Sequence, residues 1–218
     1  MNEQMNIEED FVKSIHKQLP EFKYEIRSDG IDANLFKDKS LITLYFEKGK
    51  ADKNELNFAT SFKLRHEELY EYILKHNPNF KPKSTFSIRI GTLGTILNDA
   101  SYRFEREKEI RRTILPINQT KLKSYIKVFS TLFKDKINPF ISRFNHLEGY
   151  IDWYDNLLSD IDKTKWLVSW RDAYCHLGCL KILNRDTEIQ KLKWESMIEE
   201  FDKENFQEFC KSMKINNH

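Results

Sequence analysis

Apolar residues recur at helical spacing from the first turn of the chain, with Ile7, Phe11, Ile15 and Leu19 on one stripe. Glu8, Glu9 and Asp10 sit where a helix N-terminus favours negative charge, and Pro20 marks the stop. From Phe22 the period drops to two. Phe22, Tyr24 and Ile26 alternate with Lys23, Glu25 and Arg27, and Ser28-Asp-Gly30 supplies the turn of a hairpin into a second strand over residues 31–36. Residues 41–47, rich in Ile, Thr, Tyr and Phe, predict a third strand between the Lys-Asp-Lys turn and the Gly49 loop. In a fourth, Phe58, Thr60, Phe62 and Leu64 face one way and Ala59, Ser61, Lys63 and Arg65 the other. A helix over 67–75, broken at Asn77-Pro78, leads to a last strand carrying Phe86, Ile88 and Ile90, opposed by Ser87 and Arg89; 102–104 is read as an added edge.

Beyond Pro116 the period is 3.6 throughout. Leu122, Tyr125, Ile126, Phe129 and Phe133 mark a helix expected to end before Pro139. Leu147, Tyr150, Ile151, Tyr154 and Leu158 mark the next, and Trp166, Trp170, Ala173, Tyr174, Leu177 and Leu180 a third. Ile189, Leu192 and Met197 are read as the core stripe of a fourth, and Phe206, Phe209 and Met213 of a fifth. The pattern predicts an α+β fold: a mainly antiparallel sheet of four to six strands in the N-terminal half, packed with an N-terminal helix and a helical C-terminal half. One domain is expected over residues 1–218, with a helix-plus-sheet portion at 1–115 and a helical portion at 116–218.

Composition narrows the partners. A charged fraction of 32% would suit a disordered chain, but 16 Phe, 9 Tyr and 4 Trp supply a core. With 36 Lys+Arg against 34 Asp+Glu, the molecule lacks the field that gathers nucleic acid or anionic lipid, so neither is an expected partner. Glu105, Glu107 and Glu109 interrupt the one basic aromatic run, 103–112. The acidic opening carries no secretory apolar run, no stretch approaches a membrane span, and three cysteines leave one over from any disulfide; a reducing cytoplasm is the expected location.

Three stretches, Ser87-Ile-Arg-Ile-Gly-Thr-Leu93, Ile137-Asn-Pro-Phe-Ile-Ser-Arg-Phe144 and Arg171-Asp-Ala-Tyr-Cys-His-Leu-Gly178, resemble a bacterial domain family of unassigned function. The resemblance implies the same helix, sheet and helical-tail order and a bacterial cytoplasmic setting. It implies no catalytic residues.

Chemistry-bearing motifs are sparse. Cys175 and Cys179 share a helix face with His176 close by, but a structural zinc site needs a second close ligand pair and only isolated Cys210 and scattered histidines remain; no metal or other cofactor is expected. No Gly-x-Ser-x-Gly elbow occurs, and Gly91-Thr-Leu-Gly94 lacks the third glycine of a dinucleotide fingerprint and the Gly-Lys-Ser/Thr of a phosphate loop. The strongest pattern is the polar side of the sheet. If Phe22, Ile42, Phe62 and Phe86 define the core side, the opposite side gathers Arg27, Tyr45, Lys63, Arg65, Ser87 and Arg89, whose guanidinium forks and hydroxyls suit a carboxylate, a phosphate or an acidic protein surface. The expected role is a non-catalytic protein-binding module, of the docking or neutralising type, working through that face; a site for a small anion or an unrecognised enzyme is the alternative.

Overall fold

The computed structural model describes residues 7–48, 55–80, 84–89, 93, 97, 114–116, 119–160, 170–198 and 200–214. The expected edge at 102–104, the charged run 103–112 and Trp166 lie outside them. The fold is α+β, as the periodicity predicts. Helix α1 (Ile7–His16) precedes strands β1 (Lys23–Ile26), β2 (Gly30–Lys37), β3 (Ser40–Lys48) and β4 (Glu55–His66). Helix α2 (Glu67–His76), β5 (Phe86–Arg89) and β6 (Ile114–Pro116) follow. The strands form an antiparallel sheet in the order β1-β2-β3-β4-β5, with β6 paired to the start of β4. Among the described residues after Pro116 there is no strand. The chain continues as α3 (Gln119–Leu132), α4 (Asn138–Ser142), α5 (Leu147–Leu158), α6 (Trp170–Ile182), α7 (Glu188–Met197) and α8 (Glu200–Ser212).

The chain groups into two compact units that interleave in sequence. The first comprises 1–37, 41–63 and 87–140, and the second 38–40, 64–86 and 141–218. In the first unit, turn chemistry and glycine set the sheet. β1 and β2 pair from Lys23 opposite Asn34 to Ile26 opposite Ile31, and the Arg27 amide closes the hairpin on the Gly30 carbonyl at 2.8 Å. A Cβ at Gly30 would collide with the Phe46 carbonyl oxygen, so only glycine lets β3 run this close. Alternation then sorts the side chains. Ile31, Ala33, Ile42, Leu44, Phe46 and Phe62 are buried, and α1 and α3 lie over them: Phe46 meets Phe11 at 5.0 Å and Phe129 at 5.1 Å, edge to face. Phe22 joins this core against Phe133, so β1 is anchored although Ile26 is 41% exposed.

Between β2 and β3, Asp38 and Lys39 both take positive φ, 48° and 61°, the two-residue turn whose twist matches that of the strands. Neither is glycine, so the turn carries some backbone strain.

The second unit is built on aromatic stacking between helices and β5. Phe86 stacks on Phe144 at 4.8 Å, and Tyr174 of α6 lies 3.9 Å from Phe209 of α8. Gly178 permits the close contact of α6 with α2, since a Cβ there would stand 3.0 Å from Leu69 Cδ1.

Two expectations are corrected. The helix from Gln119 does not stop ahead of Pro139. It widens into a π-turn over Phe133–Ile137, in which the Asn138 amide reaches back to the Phe133 carbonyl, and continues as α4. A widened turn accommodates the proline ring and its missing donor, which a regular α-turn would not. In α7, Ile189 and Leu192 are each 60% exposed and Met197 37%, while Thr187, Lys191, Trp194 and Ile198 are buried. Those four also recur at helical spacing, and the large indole, not the two aliphatic residues, decides which stripe turns inward. Lys191 is tolerated there because its stem packs while its ammonium lies 3.8 Å from Glu195.

Candidate functional site: the outer face of the sheet

Opposite the Phe46 core, alternation puts Asp32 and Asn34 of β2, Thr43 and Tyr45 of β3 and Ser61 and Lys63 of β4 on one face of the first unit. Thr43 Oγ1 lies 2.7 Å from Asn34 Oδ1 across the β2–β3 ladder. Three of the residues expected from sequence, Arg27, Tyr45 and Lys63, come together here around a carboxylate that the sequence reading did not include. Arg27 Nη2 lies 2.7 Å from Asp32 Oδ2 and 3.2 Å from Glu25 Oε2, which β1–β2 pairing sets opposite Asp32. Lys63 Nζ sits over the Tyr45 ring, 4.6 Å from its centre, and the Tyr45 hydroxyl donates to the Asp29 carbonyl at 3.2 Å.

Electrostatically the centre of this face is Asp32, only 7% exposed. Burial raises its pKa above the ordinary carboxyl value, while Arg27 and Lys63 pull it back down. The Tyr45 phenol is pushed up to about 12, chiefly by burial and then by its bond to Asp29. The result is a half-exposed, charge-balanced row of Glu25, Arg27, Asp32, Tyr45 and Lys63. Phe36, on the same side of β2 by alternation and 65% exposed, extends it with an aromatic ring.

The remaining expected residues fare differently. Arg65 belongs to the second unit and is engaged locally: Nε and Nη2 both donate to Glu67 Oε1, at 2.9 and 2.7 Å, and its guanidinium lies 5.3 Å from the centre of the Tyr70 ring. Ser87 is exposed on β5. The Arg89 backbone is the last residue of β5, and its side chain lies outside the described residues.

The cysteine and histidine cluster is a packing feature. Cys175, Cys179 and Cys210 are free and buried, and Cys175 Sγ donates to the Thr85 carbonyl at 3.0 Å. Burial raises all three thiol pKa values, that of Cys210 to about 12, so little thiolate exists at neutral pH. Among the described residues no group of three or more His, Cys, Asp or Glu side chains is arranged to hold a metal ion, and no helix is long and apolar enough to cross a membrane. Native protein is expected to react with a thiol reagent such as Ellman's at well below one equivalent, and urea should release all three thiols. Rapid native labelling would mean that α6 and α8 do not cover them.

No family model, curated protein or solved structure matches the chain.

Proposed function

We propose that the chain is a protein-docking module whose contact surface is the outer face of β1–β4, centred on Arg27, Asp32, Tyr45 and Lys63 with Phe36 beside them. The observation that carries this reading is the state of the charges. Arg27 Nη2 already has Asp32 and Glu25 within 3.2 Å, so two carboxylates offset the guanidinium charge and weaken its pull on a free small anion. A folded partner meets a different surface, on which the Arg27 fork and the Tyr45 hydroxyl are pre-positioned and an aromatic anchor stands proud. Balanced charge asks for a partner face of low net charge with its own mixed polar groups, and an association rate that changes little with salt.

The test begins with partner capture from the cells that make the protein, followed by calorimetry on the purified pair. Phe36→Ala alters an exposed side chain and is expected to leave the urea midpoint near that of wild type, Arg27→Ala also removes a partner of the buried Asp32 and is expected to lower the midpoint, and each should weaken the pair about tenfold or more. A pair whose affinity survives both substitutions docks elsewhere, and this face is then rejected.

A further inference from the structure

We propose that α7 pairs with α7 of a second copy of this chain, the two helices running parallel about a two-fold axis. Burial of Trp194 turns the other stripe of this helix outward. Ile189 and Leu192 on that stripe are exposed, and so is Ser196, which continues the line one turn beyond Leu192. Alternating steps of three and four residues are the spacing at which two helices interlock side by side, and Ile at the first such position with Leu at the next favours two parallel strands. The small Ser196 turns its hydroxyl back onto the Lys193 carbonyl at 2.7 Å and leaves the third position open to a facing side chain.

The charges beside this line decide what covers it. Glu188 flanks it on one side and Lys193 on the other; both are exposed, and among the described residues neither is ion-paired. Five positions apart, they lie on opposite sides of the stripe and cannot meet within one helix. In a parallel pair these are the positions that face each other across the seam. Glu188 comes beside Lys193 of the partner subunit, and Lys193 beside Glu188 of the partner subunit. The helix therefore carries both halves of the match and is complementary to itself. An antiparallel pair would bring Glu188 towards Glu195 of the partner subunit, like charge against like.

Packing holds the helix ready for this contact. Lys191, Trp194 and Ile198 fix its opposite side in the core, so pairing requires no further folding step. A seam of 10 residues covers less than the about 1,000 Å² that a lasting interface needs, so the pair is transient and forms in the high micromolar range.

Sedimentation equilibrium of the purified chain, from about 10 µM to about 1 mM, tests the pairing. The average mass of the wild type is expected to climb towards that of two chains over this range. Leu192→Glu changes an exposed position, so it should keep the fold by circular dichroism and stay monomeric. Glu188→Lys sets a lysine against Lys193 of the partner subunit, and Lys193→Glu sets a glutamate against Glu188 of the partner subunit, so each should weaken self-association about tenfold. Mixing these two variants in equal amounts restores both opposite-charge contacts in the mixed pair and should recover the wild-type association. A wild type that is still monomeric at about 1 mM, which would leave the stripe to some other protein, overturns the proposal. Undiminished association in Leu192→Glu, or no gain on mixing, overturns it equally. Only the purified chain is present, so the outcome is independent of protein docking on the sheet face.

Discussion

Replacing Thr85 with valine, nearly the same in shape, is expected to remove about 3 kcal/mol of stability, because one hydroxyl holds several buried partners. Thr85 is 3% exposed. Its Oγ1 donates to the Leu64 carbonyl at 3.1 Å, accepts the His66 amide at 3.1 Å and lies 3.0 Å from the Tyr150 hydroxyl. Since the single hydroxyl proton goes to Leu64, Tyr150 must be the donor in the last contact. Thr85→Val therefore strands the His66 N–H and the Tyr150 O–H without acceptors in a site closed to water, and each orphan costs about 1–3 kcal/mol. Tyr150→Phe removes a donor and leaves the Leu64 and His66 bonds intact, so its cost should be nearer 1 kcal/mol. Urea unfolding of the two variants decides the matter. A Thr85→Val loss below about 0.5 kcal/mol, or no larger than that of Tyr150→Phe, would show that the hydroxyl does not hold this junction.

This junction was invisible in the sequence for a reason that recurs across the molecule. Alternation at Phe62 and Leu64 predicts a strand and a buried side, and burial of both follows. Nothing local says that Thr85 will meet Tyr150, because that contact spans 65 residues. The same holds for the aromatic core: Phe11, Phe46 and Phe129 each stand on a stripe of their own element, but their meeting is a property of packing. Where two stripes compete on one helix, as on α7, counting aliphatic residues selects the wrong one. The spacing of Thr187, Lys191, Trp194 and Ile198 was equally regular, but it included a lysine.

The outer sheet face was legible in part. Period two places Arg27, Tyr45 and Lys63 on it, and the same rule places Asp32 there, between buried Ile31 and Ala33. Asp32 is a carboxylate among cations and hydroxyls, and hairpin register alone sets it opposite Glu25 and within reach of Arg27. Arg65 was misleading in the opposite sense, since its partner Glu67 lies two positions along the chain and the pairing is local.

Acidification is expected to destabilise the protein well above the pH at which carboxylates titrate, and His176 is the main cause. The side chain is fully buried on α6, stacked on Tyr154 at 5.4 Å, and its Nδ1 accepts the Trp194 indole N–H at 3.2 Å. That bond requires a lone pair on Nδ1, so the ring proton is on Nε2, which lies 3.4 Å from Asp155 Oδ1 without hydrogen-bond alignment. Protonating Nδ1 would set two N–H groups against each other in a closed site. Burial is the largest influence and lowers the pKa to about 4; Lys193 assists, while Asp155 opposes. The unfolded chain takes up the proton near pH 6.5 and the native one does not until about 4, so the unfolded state binds more protons throughout that interval. Stability is unaffected by this group above pH 7, falls at up to about 1.4 kcal/mol per pH unit below 6.5, and stops falling below 4. The loss from His176 should reach about 2 kcal/mol by pH 5, with His66, shifted in the same direction, adding to it. Asp32, whose raised pKa favours the protonated native state, works the other way only nearer pH 4. Trp194→Phe lowers stability at every pH by opening space in the core, but it also frees Nδ1 to accept a proton, so its diagnostic effect is a shallower slope between pH 6.5 and 5. A wild-type midpoint that is flat across that interval would remove His176 as the source, and equal slopes in wild type and Trp194→Phe would show that burial alone, without the indole bond, keeps the ring neutral.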